Sequence, residues 1–378
     1  MRFTPEQKQF RDAVRNFCSR ECGTLAQRRA WTGDGAEHTS RELVEKFAGL
    51  GWLGVSVPEA YGGAGAGMVE ECIFLEQSSR GLAPIDAYST ALTAGATYLR
   101  WGTEEQKREI MGGICRGRLE SIALSEPGAG SDLAGMRCAA RREGDEYVID
   151  GQKTWISAAH QADHILTLTR TDPAVGRHHG MTFLIVPTDA PGVEIRGIDT
   201  MDGHVVNDVY FTGVRVSADA VVGTDGGAWQ QLTRGLAIER LIIATMSLGS
   251  AERALEDTVS YLNEREQFGR TIGSFQALRH RLADLATDVA CCHSLVYDVA
   301  ERIDHGEEDE LSSLSSMAKL KCTETAKHAT LEGMQMMGGY GYAREYGMEQ
   351  QVRAALVPPI YGGTNEIQRE IIARNLGL

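Results

Sequence analysis

Residues 143–157, EGDEYVIDGQKTWIS, mark the place where the residue pattern of this chain changes from helical spacing to extended alternation. The run Glu146–Ile149 contains aromatic and β-branched residues, which favour strands. Glycine and aspartate flank it at Gly144-Asp145 and at Asp150-Gly151, and both pairs are typical of tight turns. We therefore expect a short strand at Glu146–Ile149 with a turn on each side.

Two further runs after this strand are also rich in β-branched residues. They are His164–Thr169 and Thr182–Val186, and glycine and aspartate are frequent between them. Several short strands separated by turn signals are typical of an all-β domain. The sequence therefore predicts a central β domain of sandwich or barrel type over residues 119–225.

The segment before the β domain, residues 1–118, has helical spacing. Thr4-Pro5-Glu6-Gln7 combines a helix N-cap, a proline in the first turn and a glutamine three positions after the cap. Thr103-Glu104-Glu105-Gln106 repeats the capping pattern, and Ile110 and Ile114 follow it at helical spacing. We expect an N-terminal helical domain over residues 1–118.

The segment after the β domain, residues 226–378, returns to helical spacing. Residues 230–264 contain no proline and have apolar residues at spacings of three and four, and further long helical stretches are about 275–303 and 310–337. These lengths suffice for a helical bundle. The predicted fold class is α+β and multi-domain: helical domain, central β domain, C-terminal helical bundle.

Composition limits the classes of partner. The chain has 378 residues, is 42% apolar and 24% charged, and has a formal net charge of −14. Nucleic acids and anionic membranes bind basic surfaces, so we expect neither as a partner. No run reaches the roughly 18 apolar residues of a membrane span.

The N-terminal sequence and the cysteines indicate the compartment. The first residues, MRFTPEQKQF, contain no apolar run after their charges, so no signal peptide is expected. The eight cysteines have no spacing typical of a zinc site. We expect reduced thiols, no bound metal and a cytoplasmic location.

Two segments carry candidate binding chemistry. In Ser125–Asp132, SEPGAGSD, the glycines let backbone N–H groups approach an anion, although an ordinary turn has the same pattern. The segment is neither a P-loop nor a G-x-G-x-x-G motif. In Asp150–Ser157, Trp155 has the residue type to stack on a flat ring, and the alternative is a tryptophan packed in the β core.

Together with motifs farther along, these two segments resemble the acyl-CoA dehydrogenase family. The resemblance extends over essentially the whole chain, and several motifs in series are more specific than any single one. The further matching motifs, in chain order, are Glu239-Arg240-Leu241, Arg265-Glu266-Gln267-Phe268-Gly269, Phe275-Gln276, Gln335–Tyr342 and Ile360–Ile367.

The resemblance implies that the chain binds FAD between the β domain and a C-terminal four-helix bundle, with a neighbouring subunit completing the site. Trp155 would then lie against the isoalloxazine ring. Ser157, where many relatives have threonine, would donate near flavin N5. The cofactor-binding residues that it implies are Ile122, Leu124, Ser125, Gly130, Ser131, Trp155, Ile156, Ser157, Arg265, Phe268, Gln276, Gln335, Gly339, Thr364 and Glu366.

The implied reaction is α,β-dehydrogenation of an acyl thioester to the 2-enoyl thioester. A carboxylate takes the α-proton, and the β-hydrogen leaves as hydride to flavin N5. Many family members carry the glutamate base at the position of Gly362, which has no side chain. Gly362 would offer only its backbone N–H as a donor to the thioester carbonyl. A ribityl hydroxyl of FAD would be the second donor.

Glu239 is the candidate base instead. It occupies the position from which a helix supplies the carboxylate in the isovaleryl-type and long-chain-type branches. Desolvation among apolar neighbours would raise the pKa of this carboxyl toward neutrality, and the alternative is a structural ion pair with an arginine. The neighbours one helical turn away are Gly235, Leu236, Ile242 and Ile243.

The resemblance also implies partners. The implied substrate contacts are Ser131, Arg240, Tyr361 and Gly362, and the substrate is an acyl-CoA or an acyl group on a carrier protein. We expect an electron-transferring flavoprotein as acceptor and a homo-oligomer, either a tetramer or a dimer. The alternatives are oxidase or flavin monooxygenase chemistry on the same fold, and a non-catalytic subunit of a hetero-oligomer.

Several residues depart from the family pattern. Arg353-Ala354-Ala355-Leu356 lacks the usual acidic–basic pair, and two prolines follow at 358 and 359. After Trp155-Ile156-Ser157, many relatives have Asn-Gly, whereas this chain has Ala158-Ala159-His160. A lone histidine such as His160 is either a substrate-pocket residue or a surface or capped residue. Glu126 is expected to support its loop. An open space at Gly362 would admit a bulky or branched acyl group.

Overall fold

The computed structural model describes residues 2–307 and 310–378, without the side chains of residues 233 and 234. Contacts divide the chain into two compact units. The first unit comprises Met1–Ala30, Gly67–Ala83 and Ala237–Leu378, and the second unit comprises Trp31–Ala66 and Pro84–Leu236. The domain boundaries expected at 118/119 and 225/226 stay a prediction.

The segment before the β domain is helical, as predicted. A π-helical segment, Lys107–Met111, separates its last two helices. In the first unit, the fourth helix packs against the first. The helices are α1 (Pro5–Cys22), α2 (Leu25–Trp31), α3 (Arg41–Gly49), α4 (Met68–Arg80), α5 (Asp86–Trp101), α6 (Glu104–Gln106) and α7 (Gly112–Cys115).

Both predicted capping boxes are present. The backbone N–H of Gln7 donates to Thr4 Oγ1 at 3.2 Å, and the Thr4 N–H donates to Gln7 Oε1 at 3.0 Å. Thr103 and Gln106 make the same reciprocal pair at the start of α6, at 3.2 Å and 3.0 Å. Each box satisfies two backbone donors that the first helical turn leaves open, so local sequence determines where α1 and α6 begin.

The central segment forms one eight-stranded sheet, in the order β6-β7-β3-β2-β4-β5-β8, with β1 paired in parallel to β4. Tyr147, Ile149, Ile165, Leu184 and Phe211 belong to the apolar cluster of this sheet. The strands are β1 (Glu120–Ala123), β2 (Ala139–Glu143), β3 (Glu146–Ser157), β4 (His164–Arg170), β5 (Met181–Pro187), β6 (Val193–Thr200), β7 (Gly203–Ser217) and β8 (Val221–Val222).

One of the two predicted turns is correct and the other is wrong. Glu143 pairs with Glu146, so Gly144-Asp145 is the two-residue loop between β2 and β3. At Asp150-Gly151 the strand continues, and its register against β7 shifts between Ile149 and Gly151. Gly151 has φ 149°, and a Cβ there would lie 2.7 Å from the Cα of Cys138. Position 151 therefore requires glycine because it lies in a β-bulge where another part of the backbone comes close.

The C-terminal segment is helical, and its three long helices match the predicted stretches. Helix α10 packs against α9, α12 and α13. Leu241, Leu248, Val296, Tyr297 and Met336 belong to the core of the first unit. The elements are α8 (Ala228–Glu264), α9 (Gln276–Asp304), α10 (Leu311–Met337), α11 (Gly339–Tyr342), α12 (Met348–Leu356), α13 (Asn365–Asn375), and the paired strands β9 (Glu266–Gln267) and β10 (Arg270–Thr271).

Two further expectations concern reduced thiols and the absence of a membrane-spanning helix. All eight cysteines are free thiols, of which Cys291 is exposed and the other seven are buried. Over residues 2–307 and 310–378, each helix is too short or too polar to span a membrane.

The bulge at Gly151 generates a prediction about stability. Gly151→Ala should lower the free energy of unfolding by about 2–4 kcal/mol, because the added Cβ overlaps the backbone of Cys138. Urea denaturation of purified protein measures the change. Gly49→Ala, at the end of α3 with no atom within 4 Å of the added Cβ, is the matched control and should cost nothing. Equal stabilities of the two variants would contradict the assignment of a sterically closed bulge.

Candidate active site

The loop Ser125–Asp132 follows β1 in the second unit, and a buried ion pair holds it. Lys153 on β3 is fully buried and donates to Glu126 Oε1 at 2.9 Å and to the carbonyl of Leu124 at 2.9 Å. The Glu126 carboxylate also accepts from the N–H groups of residues 137 and 138, at 2.7 Å and 2.8 Å. With these acceptor positions filled, Glu126 supports the loop.

Trp155 lies at the end of β3, beside this loop. The N–H of Thr154 donates to the carbonyl of Ser125 at 3.0 Å, which joins the strand to the loop. Trp155 is 60% exposed and has φ 61°, so a packed core tryptophan is excluded. A bulky residue in the left-handed region costs strain and indicates a functional constraint. The exposed indole beside the glycine loop fits a planar cofactor ring.

Ser157, two residues on, has an unused hydroxyl. Its backbone carbonyl accepts from Ser121 Oγ at 2.7 Å, but its own Oγ makes no hydrogen bond within the described part of the second unit. Ile156 between these residues is buried. The end of β3 therefore offers an aromatic face and a free donor, which fits the ring and the hydrogen-bonding edge of a flavin.

His160 belongs to a hydrogen-bond network behind this strand end. Asn207 on β7 is fully buried, and its Nδ2 lies 2.9 Å from the carbonyl of Ile156 and 3.1 Å from His160 Nδ1. His160 Nε2 contacts Glu37 Oε2 at 3.0 Å, and His204 Nε2 contacts Asn207 Oδ1 at 3.0 Å. Both nitrogens of His160 are therefore engaged, and of its two expected roles the network supports the capped one.

Glu37, His160 and His204 have donor atoms within 4.8 Å of one another, a spacing compatible with metal ligands. The two imidazole rings are stacked, however, with centroids 4.4 Å apart and an angle of 18° between their planes. A histidine binds a metal in the plane of its ring, so two stacked rings do not aim at one ion. The hydrogen-bond network accounts for this cluster.

In the first unit, Glu239 lies beside Gly362. Gly362 has φ 62°, and a Cβ built on it would lie 3.7 Å from Glu239 Oε1 and 2.2 Å from Ile243 Cδ1. The structure therefore places the candidate base next to the position where many relatives carry theirs. It also corrects the expectation of an open space at Gly362, because the Ile243 side chain fills that space.

The environment of Glu239 is apolar and offers few polar groups that could stabilise the charge of its carboxylate. Its half-buried carboxylate makes no hydrogen bond and no ion pair within the described part of the first unit, which removes the ion-pair alternative there. Burial raises the pKa of Glu239, and the charges of Arg240 and Lys319 oppose the rise. Arg240 is itself buried and donates weakly to Ser312 Oγ at 3.3 Å.

The loop at residues 361–366 presents a backbone donor. The N–H of Gly362 makes no hydrogen bond within the described part of the first unit. Thr364 caps α13, since its Oγ1 accepts from the N–H of Ile367 at 3.2 Å. Glu366 lies in the first turn of α13 with an exposed side chain. Glu239 and the Gly362 N–H thus lie close together, and neither makes a hydrogen bond within the described part of the first unit.

Two of the residues expected at the adenine half of FAD, Arg265 and Gly339, lie together on another surface of the first unit. A cavity of about 490 Å³ includes Arg265 and Gly339 in its lining. The Arg265 guanidinium lies 5.3 Å from the ring centroid of Tyr340. Phe268, in the turn between β9 and β10, is 92% exposed. A cavity lined by a guanidinium and an aromatic ring fits a nucleotide base and its phosphates.

The other expected residues lie in one unit or the other. Gly130 and Ser131 are exposed, and Ile122, Leu124 and Ser125 are half-buried, all in the second unit. Gln276, Gln335 and Tyr361 are exposed in the first unit.

Sequence reasoning missed several residues that shape these sites, namely Lys153, Asn207, Lys319 and Gln368, and it named Ile243 only as an apolar neighbour of Glu239. One signal was available for Lys319. It stands on α10 in a series of buried positions at helical spacing, with Ser315 and Cys322 on either side. A lysine on a buried helix face indicates a paired or functional charge.

Comparison with known proteins agrees with these features. Models of the acyl-CoA dehydrogenase N-terminal, middle and C-terminal domains match residues 4–118, 121–214 and 226–377. The probable acyl-CoA dehydrogenase YngJ of Bacillus subtilis is 35% identical over 379 residues, which cover 99% of this chain and 98% of that protein.

Two solved structures have the same fold over the whole chain. The crystal structure of acyl-CoA dehydrogenase from Geobacillus kaustophilus has a TM-score of 0.93 and 32% identity, covering 100% of this chain and 99% of the other. The prolyl acyl carrier protein oxidase AnaB has a TM-score of 0.93 and 28% identity, covering 100% of both chains. This chain belongs to the acyl-CoA dehydrogenase family.

Proposed function

We propose that this protein is an FAD-dependent acyl-CoA dehydrogenase in which Glu239 removes the α-proton and the Gly362 N–H binds the thioester carbonyl. One observation carries the assignment of the base. Within the described part of its unit the Glu239 carboxylate has no hydrogen-bond or ion-pair partner, and it lies 3.7 Å from the Cβ position of Gly362, whose N–H makes no hydrogen bond there either. An unpaired carboxylate beside an unused backbone donor matches what the removal of an α-proton requires.

The base needs a raised affinity for protons. A C–H bond next to a thioester carbonyl is a very weak acid, so its removal needs a general base whose pKa is near the working pH. Burial raises the pKa of Glu239 in that direction. The charges of Arg240 and Lys319 oppose this rise, since both favour the ionised carboxylate that accepts the proton.

The thioester carbonyl needs a donor where negative charge develops. Loss of the α-proton moves charge onto the carbonyl oxygen, and a backbone N–H that is already fixed stabilises it without reorganisation. Gly362 supplies that N–H. Ser131, Arg240 and Tyr361 are the further substrate contacts that we carry over from the family.

The residues present fit FAD. Trp155 offers an exposed aromatic face, Ser157 a free hydroxyl, and the glycines of Ser125–Asp132 unhindered N–H groups for phosphate oxygens. Bound FAD supplies the acceptor for the hydride that leaves the β-carbon. In the first unit we assign Arg265 and Phe268 to the adenine half, together with Gln276, Gln335, Gly339, Thr364 and Glu366.

The partners follow from the same proposal. An electron-transferring flavoprotein is the proposed acceptor for the two electrons. We propose a homo-oligomer, either a tetramer or a dimer, because family members complete the cofactor site with a neighbouring subunit. The cytoplasmic location stays a prediction.

The assignment of the base predicts a spectral result. The purified protein should be yellow, and an anaerobic acyl-CoA substrate should bleach its flavin band. Glu239→Gln should stay yellow and lose about 10²–10⁴-fold in bleaching rate, because an amide accepts no proton at neutral pH. Glu264→Gln, on the same helix, is the matched control. A fully active Glu239→Gln variant would exclude Glu239 as the base, and a colourless protein would favour a non-catalytic subunit.

The steric contact at Gly362 predicts an interaction between two mutations. Gly362→Ala should lower the free energy of unfolding by about 2–3 kcal/mol, because the added methyl overlaps Ile243 at a positive φ. In an Ile243→Ala background the added cost should fall to about 1 kcal/mol, the strain of the backbone alone. Thermal denaturation of the four proteins of this cycle gives both values. Strictly additive effects would show that Ile243 does not fill the space.

The carrier of the acyl group is a separate question. A carrier-protein substrate is the second candidate, favoured by the similarity to the prolyl acyl carrier protein oxidase over the whole chain. We expect flavin bleaching by acyl-CoA at low concentration and little by the same acyl group on a carrier protein. The reverse order would assign carrier-bound substrates. Oxygen consumption without an added acceptor would indicate an oxidase.

A further inference from the structure

Behind the loop that contains Gly362, a buried lysine and a buried glutamine hold the backbone. Lys319 on α10 is fully buried, and its ammonium donates to the carbonyl of Gly363 at 2.9 Å. Gln368 on α13 is also fully buried, and its Nε2 donates to the carbonyls of Gly363 at 2.8 Å and Gly362 at 3.2 Å. Two side chains thus bind the carbonyl oxygens of the peptide units next to the Gly362 N–H.

Asn365 completes the contact with the ammonium. Its side chain is buried, and its Oδ1 accepts from Lys319 Nζ at 3.1 Å and from Thr323 Oγ1 at 3.2 Å. Thr323 is one helical turn after Lys319 on α10. The lysine is therefore bound by neutral oxygen atoms, and no carboxylate lies within ion-pair distance of it among the residues that the structure describes.

A buried ammonium without a contacting carboxylate is costly for stability alone. Burial lowers the pKa of Lys319 to about 8, while Glu239 and Glu366 act in the opposite direction and Arg240 adds to the lowering. The charged groups that face Glu239 are Arg240, next to it on α8, and Lys319, on α10. Lys319 is thus the cation that both binds the loop and acts on the candidate base.

We propose that Lys319 is a positioning residue for the dehydrogenation, which orients the Gly362–Asn365 backbone through the Gly363 carbonyl and favours the ionised form of Glu239 through its charge. The proposal rests on the proposed role of Glu239 as the base. Gln368 performs only the first task, because it binds the same carbonyl without a charge. The two side chains therefore separate the geometric effect from the electrostatic one.

The test is the rate of anaerobic flavin bleaching as a function of pH, with FAD content checked for every variant. The rate should fall at low pH as Glu239 becomes protonated. Lys319→Met should raise the midpoint of this fall by about one pH unit, because loss of the cation makes the carboxylate harder to ionise. It should also lower the plateau rate by about tenfold, because the loop loses a fixed donor.

Gln368→Met should lower the plateau rate by a few-fold and leave the midpoint in place. Lys321→Met, two residues along α10, should change neither quantity, since Lys321 pairs with Asp288 at 2.6 Å. Asn365→Asp keeps the lysine and nearly the same shape. It should raise the midpoint, because a carboxylate in contact with the ammonium cancels its charge at Glu239.

An unmoved midpoint in Lys319→Met with FAD bound would overturn the electrostatic role. An equal midpoint shift in Gln368→Met would also overturn it, since disorder of the loop would then explain the effect. If Lys319→Met does not fold, Asn365→Asp decides in the same way. A wrong base assignment is distinguishable from a wrong role for Lys319. If Glu239 were not the base, Glu239→Gln would keep its activity, regardless of the results for the Lys319 variant.

Discussion

The contact between one turn of α8 and the loop at residue 362 determines most of what this protein can do chemically. Glu239 and Ile243 are four residues apart, so they share one face of the helix. Ile243 fills the volume in which a side chain at position 362 would stand, and Glu239 reaches the backbone beside it. The loop therefore comes close enough to offer an N–H only because residue 362 is a glycine.

Buried polar groups stabilise both candidate sites in the same manner. In the second unit, Lys153 and Glu126 bind the glycine loop, and Asn207 binds the carbonyl of Ile156. In the first unit, Lys319 and Gln368 bind the carbonyls beside Gly362. In each case buried side chains bind the backbone of a loop, while Ser157 Oγ, the Glu239 carboxylate and the Gly362 N–H make no hydrogen bond within the described part of their own unit. A site of this kind is organised before its ligand arrives, so little ordering entropy is lost on binding.

Local interactions explain which parts of the fold were predictable. The capping boxes at Thr4 and Thr103 involve residues three positions apart, and the long helices follow from periodicity. The turn predicted at Asp150-Gly151 was wrong because the same residue types serve a bulge, and only the close approach of Cys138 distinguishes the two. The helix boundaries depend on neighbouring residues, whereas the need for glycine at 151 comes from Cys138, thirteen positions earlier in the chain.

Of the candidate site, the sequence motifs were predictable, but the contacts between distant segments were not. The positions of Glu239 and Gly362 came from the family resemblance, and the apolar neighbours of Glu239 came from helix periodicity. That Ile243 occupies the space at Gly362, and that Lys319 reaches the Gly363 carbonyl from another helix, depends on tertiary packing between segments far apart in the chain. The expectation of an open space failed for this reason.

The filled space at residue 362 also constrains how such enzymes can diverge. Moving the carboxylate from the helix to the loop would require a glutamate at 362, and that side chain would meet Ile243 before any benefit appeared. Ile243 must shift its terminal methyl or become smaller to make room for that side chain. The contact between Ile243 and residue 362 therefore places a steric cost on any substitution that moves the base from the helix to the loop.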